Sequence, residues 1–210
     1  MKITEVKPQK GHLVTVTLEN GNTFTVSAEL ALEKGIKQGA PFDESGLDTL
    51  LRDSHRRRAK SRALWYLSRT DCSKGQMLEK LRRAGFPEDA CAYTVSRLID
   101  ADLINDERFA ARVAENLSRR SCSPRQIKAK LTEKRISPDL AAATVEGMEV
   151  DTLAQIRKLV SQKYLSRLKN PDKKHTVFPA LARRGFAAGD IITVLREFDC
   201  TDDCEDDYGI

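Results

Sequence analysis

Apolar and polar residues alternate along two short stretches near the start of the chain. Leu13-Val14-Thr15-Val16-Thr17-Leu18 and Thr23-Phe24-Thr25-Val26 flank Glu19-Asn20-Gly21-Asn22. A period of two marks a strand with one buried face. Val14, Val16 and Leu18 should therefore share a face with Phe24 and Val26, while Thr15, Thr17, Thr23 and Thr25 line the other. Asn-Gly between such stretches predicts a hairpin closed by a type I′ turn, which needs positive φ at both central residues. Ile3 to Val6 is a candidate third strand. A lone hairpin is marginal in water, so the module should pack on something or be steadied by that strand. Gly35, Gly39 and Pro41 then break the chain.

From about Asp48 the apolar spacing turns helical and recurs every 50 residues. Seven columns stay in register without a gap: Met77/Ile127/Val177, Leu81/Leu131/Leu181, Phe86/Ile136/Phe186, Val95/Val145/Leu195, Leu98/Met148/Phe198, Ala59/Phe109/Leu159 and Leu64/Ala114/Tyr164. Such self-similarity marks a repeat architecture. Each unit holds three helix-sized segments: 54–69, 105–119 and 152–168 first; 74–84, 124–134 and 174–184 second; 88–99, 138–148 and 188–198 third. Ser73-Lys74-Gly75-Gln76 and Ser123-Pro124-Arg125-Gln126 fit a capping box, Ser137-Pro138 repeats the start signal, and Asn105-Asp106-Glu107 puts acid at a helix N-terminus. Gly85 and Gly185 stand where a left-handed helix stop is expected; Arg135 holds that place in the middle unit, at about 1 kcal/mol if the conformation is kept. Units of this size bury little surface alone, so neighbours should stack. The expected fold is mainly α: three tandem three-helix repeats of about 50 residues forming an elongated curved rod, with a small N-terminal β-hairpin or β-sheet module. The expected divisions are 1–47 (β module), 48–104, 105–150 and 151–198 (helical repeats) and 199–210 (acidic tail).

Composition narrows the function classes. The 210 residues are 40% hydrophobic and 32% charged, which permits packed cores and argues against full disorder. No apolar run approaches the roughly 18 residues of a membrane helix, and Met1-Lys2-Ile3-Thr4-Glu5-Val6 lacks the core of a signal peptide. A cytoplasmic protein without membrane contact, with its five cysteines reduced, is expected. Residues 1–50 carry a net −2 and residues 199–210 a net −6; with the whole chain at +5, residues 51–198 hold +13. A basic middle of that size calls for a polyanion or an acidic protein surface.

Catalytic signatures are missing from the sequence. His12, His55 and His175 share no local spacing with cysteines or carboxylates, and no phosphate loop, dinucleotide fingerprint, zinc-protease motif or nucleophile elbow occurs. Ser166-Arg167-Leu168-Lys169 reads as an exposed helix end. Cys200 and Cys204, without nearby histidine, fall short of a four-ligand zinc site. Cys72 and Cys122 occupy equivalent turn positions and read as small turn residues. No enzyme activity, cofactor or metal is expected.

The basic clusters say more. Arg52, Arg56, Arg57, Arg58, Lys60, Arg62 and Arg69 crowd the opening helix. Arg119, Arg120, Arg125, Lys128, Lys130, Lys134 and Arg135 form a second group, and Arg157, Lys158, Lys163, Arg167, Lys169, Lys173 and Lys174 a third. Arg82-Arg83 and Arg183-Arg184 recur at the ends of second helices. Charge runs commonly just solvate a helix face, but recurrence with poor acidic balance points to a basic binding surface. Few aromatics interleave, which argues against base stacking as the main contact.

Ala63-Leu64-Trp65-Tyr66-Leu67-Ser68-Arg69 followed by Ser73, Leu78, Leu81, Gly85 and Phe86 resembles the RecX family of recombinase regulators. So do Leu103-Ile104-Asn105-Asp106-Glu107-Arg108-Phe109-Ala110, then Ser123-Pro124-Arg125-Gln126-Ile127 with Leu131, Lys134 and Ile136, and Leu181-Ala182-Arg183-Arg184-Gly185-Phe186 with Ile191. The resemblance covers roughly residues 54–198. Arg135 departs from a usual Gly, Lys130 from a common acidic residue, and the acidic Cys-containing tail has no counterpart. The resemblance implies a non-enzymatic modulator that inhibits RecA, binds in the groove of the RecA–single-stranded DNA filament and restrains its ATPase, strand exchange and coprotease activity, with a place in DNA repair, recombination and the SOS response. Arg56, Arg57, Arg58, Arg82, Arg83, Arg119, Arg120, Lys128, Arg183 and Arg184 are the expected contacts to RecA or DNA. The alternative is a protein that binds single- or double-stranded DNA directly through its basic helical faces. A monomer is expected.

Overall fold

Alternation at the start of the chain produces a three-stranded antiparallel sheet in the computed structural model, which describes residues 1–202 apart from the side chains of Glu44 and 199–202. The Cys200/Cys204 pair and the acidic tail assigned to 199–210 thus lie outside the described side chains. Strands β1 (Ile3–Gln9), β2 (Leu13–Leu18) and β3 (Thr23–Ser27) lie in chain order. Val16 pairs with Phe24 and Val14 with Val26 on the buried face, while Thr15 meets Thr25 and Thr17 meets Thr23 on the other. The expected I′ turn does not form. Thr17 pairs with Thr23, the Gly21 N–H donates to the Leu18 carbonyl, and of the Asn-Gly pair only Gly21 has positive φ. Four linking residues suit a turn followed by a left-handed glycine better than a two-residue loop.

A short helix, α1 (Ala28–Glu33), follows β3 directly, capped by the Ser27 hydroxyl accepting from the Leu30 N–H. Helix α2 (Leu47–Leu67) then starts one turn after the breakers. Its first turns close the β module: Leu50 joins Ile3, Val16, Leu18, Phe24, Val26 and Leu30 in one apolar cluster, and the Ser27 N–H donates to the buried Ser54 hydroxyl at 2.9 Å. The rest of α2, with α3 (Lys74–Arg83) and α4 (Glu88–Asp100), builds the first bundle around Ala59, Ala63, Met77, Leu81, Val95 and Leu98. Residues Met1–Asn105 form one compact unit in which α2 serves both cores.

A second compact unit begins at Asp106. It contains α5 (Asp106–Arg119), α6 (Pro124–Glu133) and α7 (Pro138–Glu146), packed on Phe109, Ala114, Ile127 and Leu131. Its other bundle comprises α8 (Thr152–Leu159), a π-helical turn (Val160–Tyr164), α9 (Leu165–Leu168), α10 (Pro171–Lys174), α11 (Val177–Arg183) and α12 (Ala188–Asp202). These enclose Ile156, Val160, Tyr164, Val177, Leu181 and Ile191. Helix α11 starts three residues later than spacing suggested. Pro179 has no N–H to give and is tolerated only in a first turn.

Burial bears out the repeat in most columns. Met77, Ile127 and Val177 are fully buried, as are Leu81, Leu131 and Leu181. The Leu64/Ala114/Tyr164 column breaks, since Leu64 is 40% exposed. In the later repeats Ala114 and Tyr164 sit one turn after buried Ala110 and Val160, but the first repeat has Lys60 there, so its stripe runs Ala59–Ala63 and turns Leu64 outward. The stops also recur: Phe86, Ile136 and Phe186 donate their N–H groups to the carbonyls of Leu81, Leu131 and Leu181, with Gly85, Arg135 and Gly185 at φ 83°, 62° and 82°. Arg135 therefore keeps the left-handed turn.

Each bundle encloses its own apolar cluster, and within the second unit polar contacts join one bundle to the next. The Ser123 hydroxyl caps α6 by accepting from the Gln126 N–H and itself donates to the Arg184 carbonyl. The Gln155 amide donates to the Ser118 hydroxyl at 3.0 Å. Gly185 lies so close to this seam that a Cβ there would sit 2.9 Å from Ser123 Oγ.

Candidate functional site

Helix α2 presents Arg56, Arg57 and Arg58 on consecutive positions, about 100° apart around the axis, so they cannot form one patch. Arg57 turns to α1 and pairs with Glu33 at 2.6 Å and Glu29 at 3.9 Å. Arg58 lies 5.7 Å from the Phe86 ring. Arg56 crosses to α4 and stacks 4.1 Å from the Tyr93 ring centroid; its Nε is buried with no acceptor.

Arg82 and Arg83, at the end of α3, are also committed. Arg82 forms a two-pronged pair with Glu88 at the start of α4, its Nε donating at 2.6 Å, and Arg83 pairs with Glu79 one turn back. The Arg82 guanidinium, first by hydrogen bonding, holds the Glu88 carboxyl below its ordinary range. Both residues remain on the surface, where such pairs exchange readily with solvent.

In the second unit the arrangement loosens. Arg119 pairs with Glu115 at 2.6 Å. Arg120 and Lys128 are exposed and have no carboxylate partner among the described residues. The Arg183 Nε donates to the Pro179 carbonyl at 3.3 Å and the Arg184 carbonyl accepts from Ser123, and neither guanidinium has a carboxylate partner among the described residues. Arg157 is tied to Glu197 across α8 and α12 by two bonds of 2.7 and 2.8 Å.

Two features were missed by the sequence reading. Trp65 is 46% exposed, with Arg69 at 4.3 Å and Arg62 at 5.6 Å from its ring. It edges a cleft of about 520 Å³ against the β1–β2 turn that also collects Lys10 and Arg58. On another side of α2, a cleft of about 590 Å³ runs between α2 and α4, floored by Leu64, Leu98 and Leu103 and edged by Arg56, Lys60 and Arg97. Trp65, the one tryptophan of the chain and part of the run Ala63–Arg69, was the signal to follow. The cleft depends on where α4 crosses α2, which local spacing does not encode.

His55, between α2 and α4, is pushed below its usual value by partial burial and then by Arg58, against a smaller opposing pull from Asp89. Among the described residues no three histidine, cysteine or carboxylate groups gather as a metal site, and no helix is long and apolar enough to cross a membrane.

Residues 59–98 match the profile of the RecX first three-helix domain, and 105–145 that of the RecX second three-helix domain. Regulatory protein RecX of Syntrophotalea carbinolica is 31% identical over 146 residues, spanning 66% of this chain and 95% of the relative. The chain belongs to the RecX family. Its RecX relative in Clostridium perfringens strain 13 is 26% identical over 185 residues, 87% of either chain. A crystal structure of regulatory protein RecX superposes with a TM-score of 0.66 at 20% identity, covering 92% of this chain and 98% of that one, which establishes a shared fold. These RecX relatives are named as regulators, not as enzymes.

Proposed function

We propose that this chain is a non-enzymatic, monomeric, cytoplasmic regulator that inhibits RecA by binding in the groove of the RecA–single-stranded DNA filament and restraining ATP hydrolysis, strand exchange and coprotease activity. RecX family membership supports the regulatory role. The observation that carries the binding mode is the set of cations without a carboxylate partner among the described residues, Arg120, Lys128, Arg183 and Arg184, distributed over two consecutive bundles of the second unit. Charge repeated from bundle to bundle, across the segments assigned to 105–150 and 151–198, suits a partner whose acidic or phosphate groups repeat along a filament. Contacts made with several protomers add avidity without one strong site. Added to RecA on single-stranded DNA, the pure protein should slow ATP hydrolysis and strand exchange at or below one molecule per protomer. Unchanged rates at equimolar protein contradict the proposal.

Direct nucleic-acid binding is the second reading, favoured by Trp65 between Arg62 and Arg69 beside Lys10 and Arg58. An exposed indole flanked by cations can stack a base and hold its phosphate. Affinity for naked single-stranded DNA that falls steeply with salt and quenches tryptophan fluorescence would support it; weak, salt-insensitive binding would remove it.

A further inference from the structure

We infer that the cleft between α2 and α4 seats an acidic, apolar segment of the RecA subunits themselves, with a carboxylate placed against Arg56 and Thr94. This rests on the filament-inhibitor reading and assigns one of its contacts. Leu64 and Leu103 present 40% and 51% of their surfaces to solvent on its floor. Two exposed leucines beside Tyr93 in a concave site of this size are what an amphipathic segment covers. The repeat explains why Leu64 is bare: Lys60 displaces the apolar stripe of α2 by one position and leaves Leu64 outside the core.

Two buried polar atoms in the same cleft lack partners among the described residues. Thr94 is only 2% exposed and its Oγ1 makes no hydrogen bond; Arg56 Nε, held by the Tyr93 stacking, makes none either. Buried polar groups are nearly always satisfied, and an exception calls for an account. Both can donate, and the cations of the lining, Arg56, Arg57, Lys60 and Arg97, outnumber its one carboxylate, Asp53. The occupant must therefore accept, and a carboxylate does so most strongly. A phosphate would satisfy the donors equally well but would leave the leucines uncovered, and a base stacks on an aromatic face rather than on a leucine floor, so the floor decides for a protein segment over a nucleic acid.

Binding of the full chain to RecA–single-stranded DNA filaments, followed by co-sedimentation, tests this with uncharged substitutions and one charge reversal. Leu64→Ser combined with Leu103→Ser should weaken binding about tenfold, the value of one buried apolar side chain. Thr94→Val, nearly isosteric, should weaken it several-fold while the melting temperature holds or rises, because the hydroxyl is unsatisfied in the free protein. Leu32→Ser, at a site 83% exposed on α1, should change nothing. If the leucine variant melts early, Thr94→Val decides alone. Equal binding by parent, leucine and threonine variants overturns the inference while leaving filament inhibition standing. So does a pattern in which Lys60→Glu weakens binding but the serines are silent, since that describes a phosphate contact. A parent protein that fails to bind the filament removes both readings.

Discussion

The first and second helical bundles share their apolar columns but use their cations differently. Around α2 to α4, Arg57, Arg82 and Arg83 are drawn to carboxylates, while Arg56, Arg58 and Arg69 lie on aromatic rings. Around α5 to α7, Arg119 and Lys130 pair with carboxylates and Arg112 and Lys134 lie over the Phe109 ring, but Arg120 and Lys128 have no carboxylate partner among the described residues. A column of basic residues that recurs in sequence is thus not one continuous surface. The first bundle uses Arg56, Arg57 and Arg82 to tie neighbouring elements together, and the second leaves Arg120 and Lys128 available. The exposed aromatic and leucine side chains are the first bundle's offering instead.

The shared part of that comparison is the most sensitive to mutation. Leu81→Ala and Leu131→Ala, each in a fully buried position, should each cost about 2–5 kcal/mol in chemical denaturation. Because the two lie in separate apolar clusters, each loss should appear in the unfolding of its own unit. The helix stops come next. Gly185→Ala combines left-handed strain with a clash at Ser123 and should cost about 2–4 kcal/mol, whereas Gly85→Ala, with open space around the added Cβ, should cost only about 1–2 kcal/mol. Arg135→Gly should raise stability by about 1 kcal/mol. Equal penalties at Gly85 and Gly185 would show that the seam between the second and third bundles contributes nothing.

A smaller effect follows from His55, which the first bundle half-buries beside Arg58 and Asp89. Its folded pKa lies below the ordinary value of 6.5, so the unfolded chain binds the proton more readily. The stability contributed is complete above that pH and is lost as pH falls through the lowered folded value. Melting temperatures should drop from pH 7 toward pH 5, and His55→Gln should flatten that slope. An unaltered slope in the variant would assign the drop to other groups. Glu88 and Glu197, held below their ordinary value, contribute stability that is present above the ordinary carboxylate value and is lost as pH falls through their lowered folded values.

Much of the fold was legible because it is local and repeated. Apolar spacing, the Ser73 and Ser123 caps and the glycine stops recur at fixed offsets, and the strand faces follow from alternation. What escaped depends on neighbours. The Leu64 column failed because one lysine shifts a helical stripe, the Asn-Gly turn because strand register leaves four residues to link, and α11 because Pro179 limits where a helix can begin. The candidate site was less legible for the same reason. Nothing in the run Arg56-Arg57-Arg58 reveals that Glu29, Glu33 and Tyr93 wait across the packing.

The most direct test is ATP hydrolysis by RecA on single-stranded DNA, titrated with three proteins: the parent, Arg120→Glu/Lys128→Glu/Arg183→Glu/Arg184→Glu, and Arg82→Glu/Arg83→Glu. Inhibition by the parent is expected, with its loss in the first variant at unchanged helicity and a smaller loss in the second, whose arginines spend part of their charge on surface pairs with Glu88 and Glu79. Undiminished inhibition by the fourfold variant, or none by the parent, would contradict this.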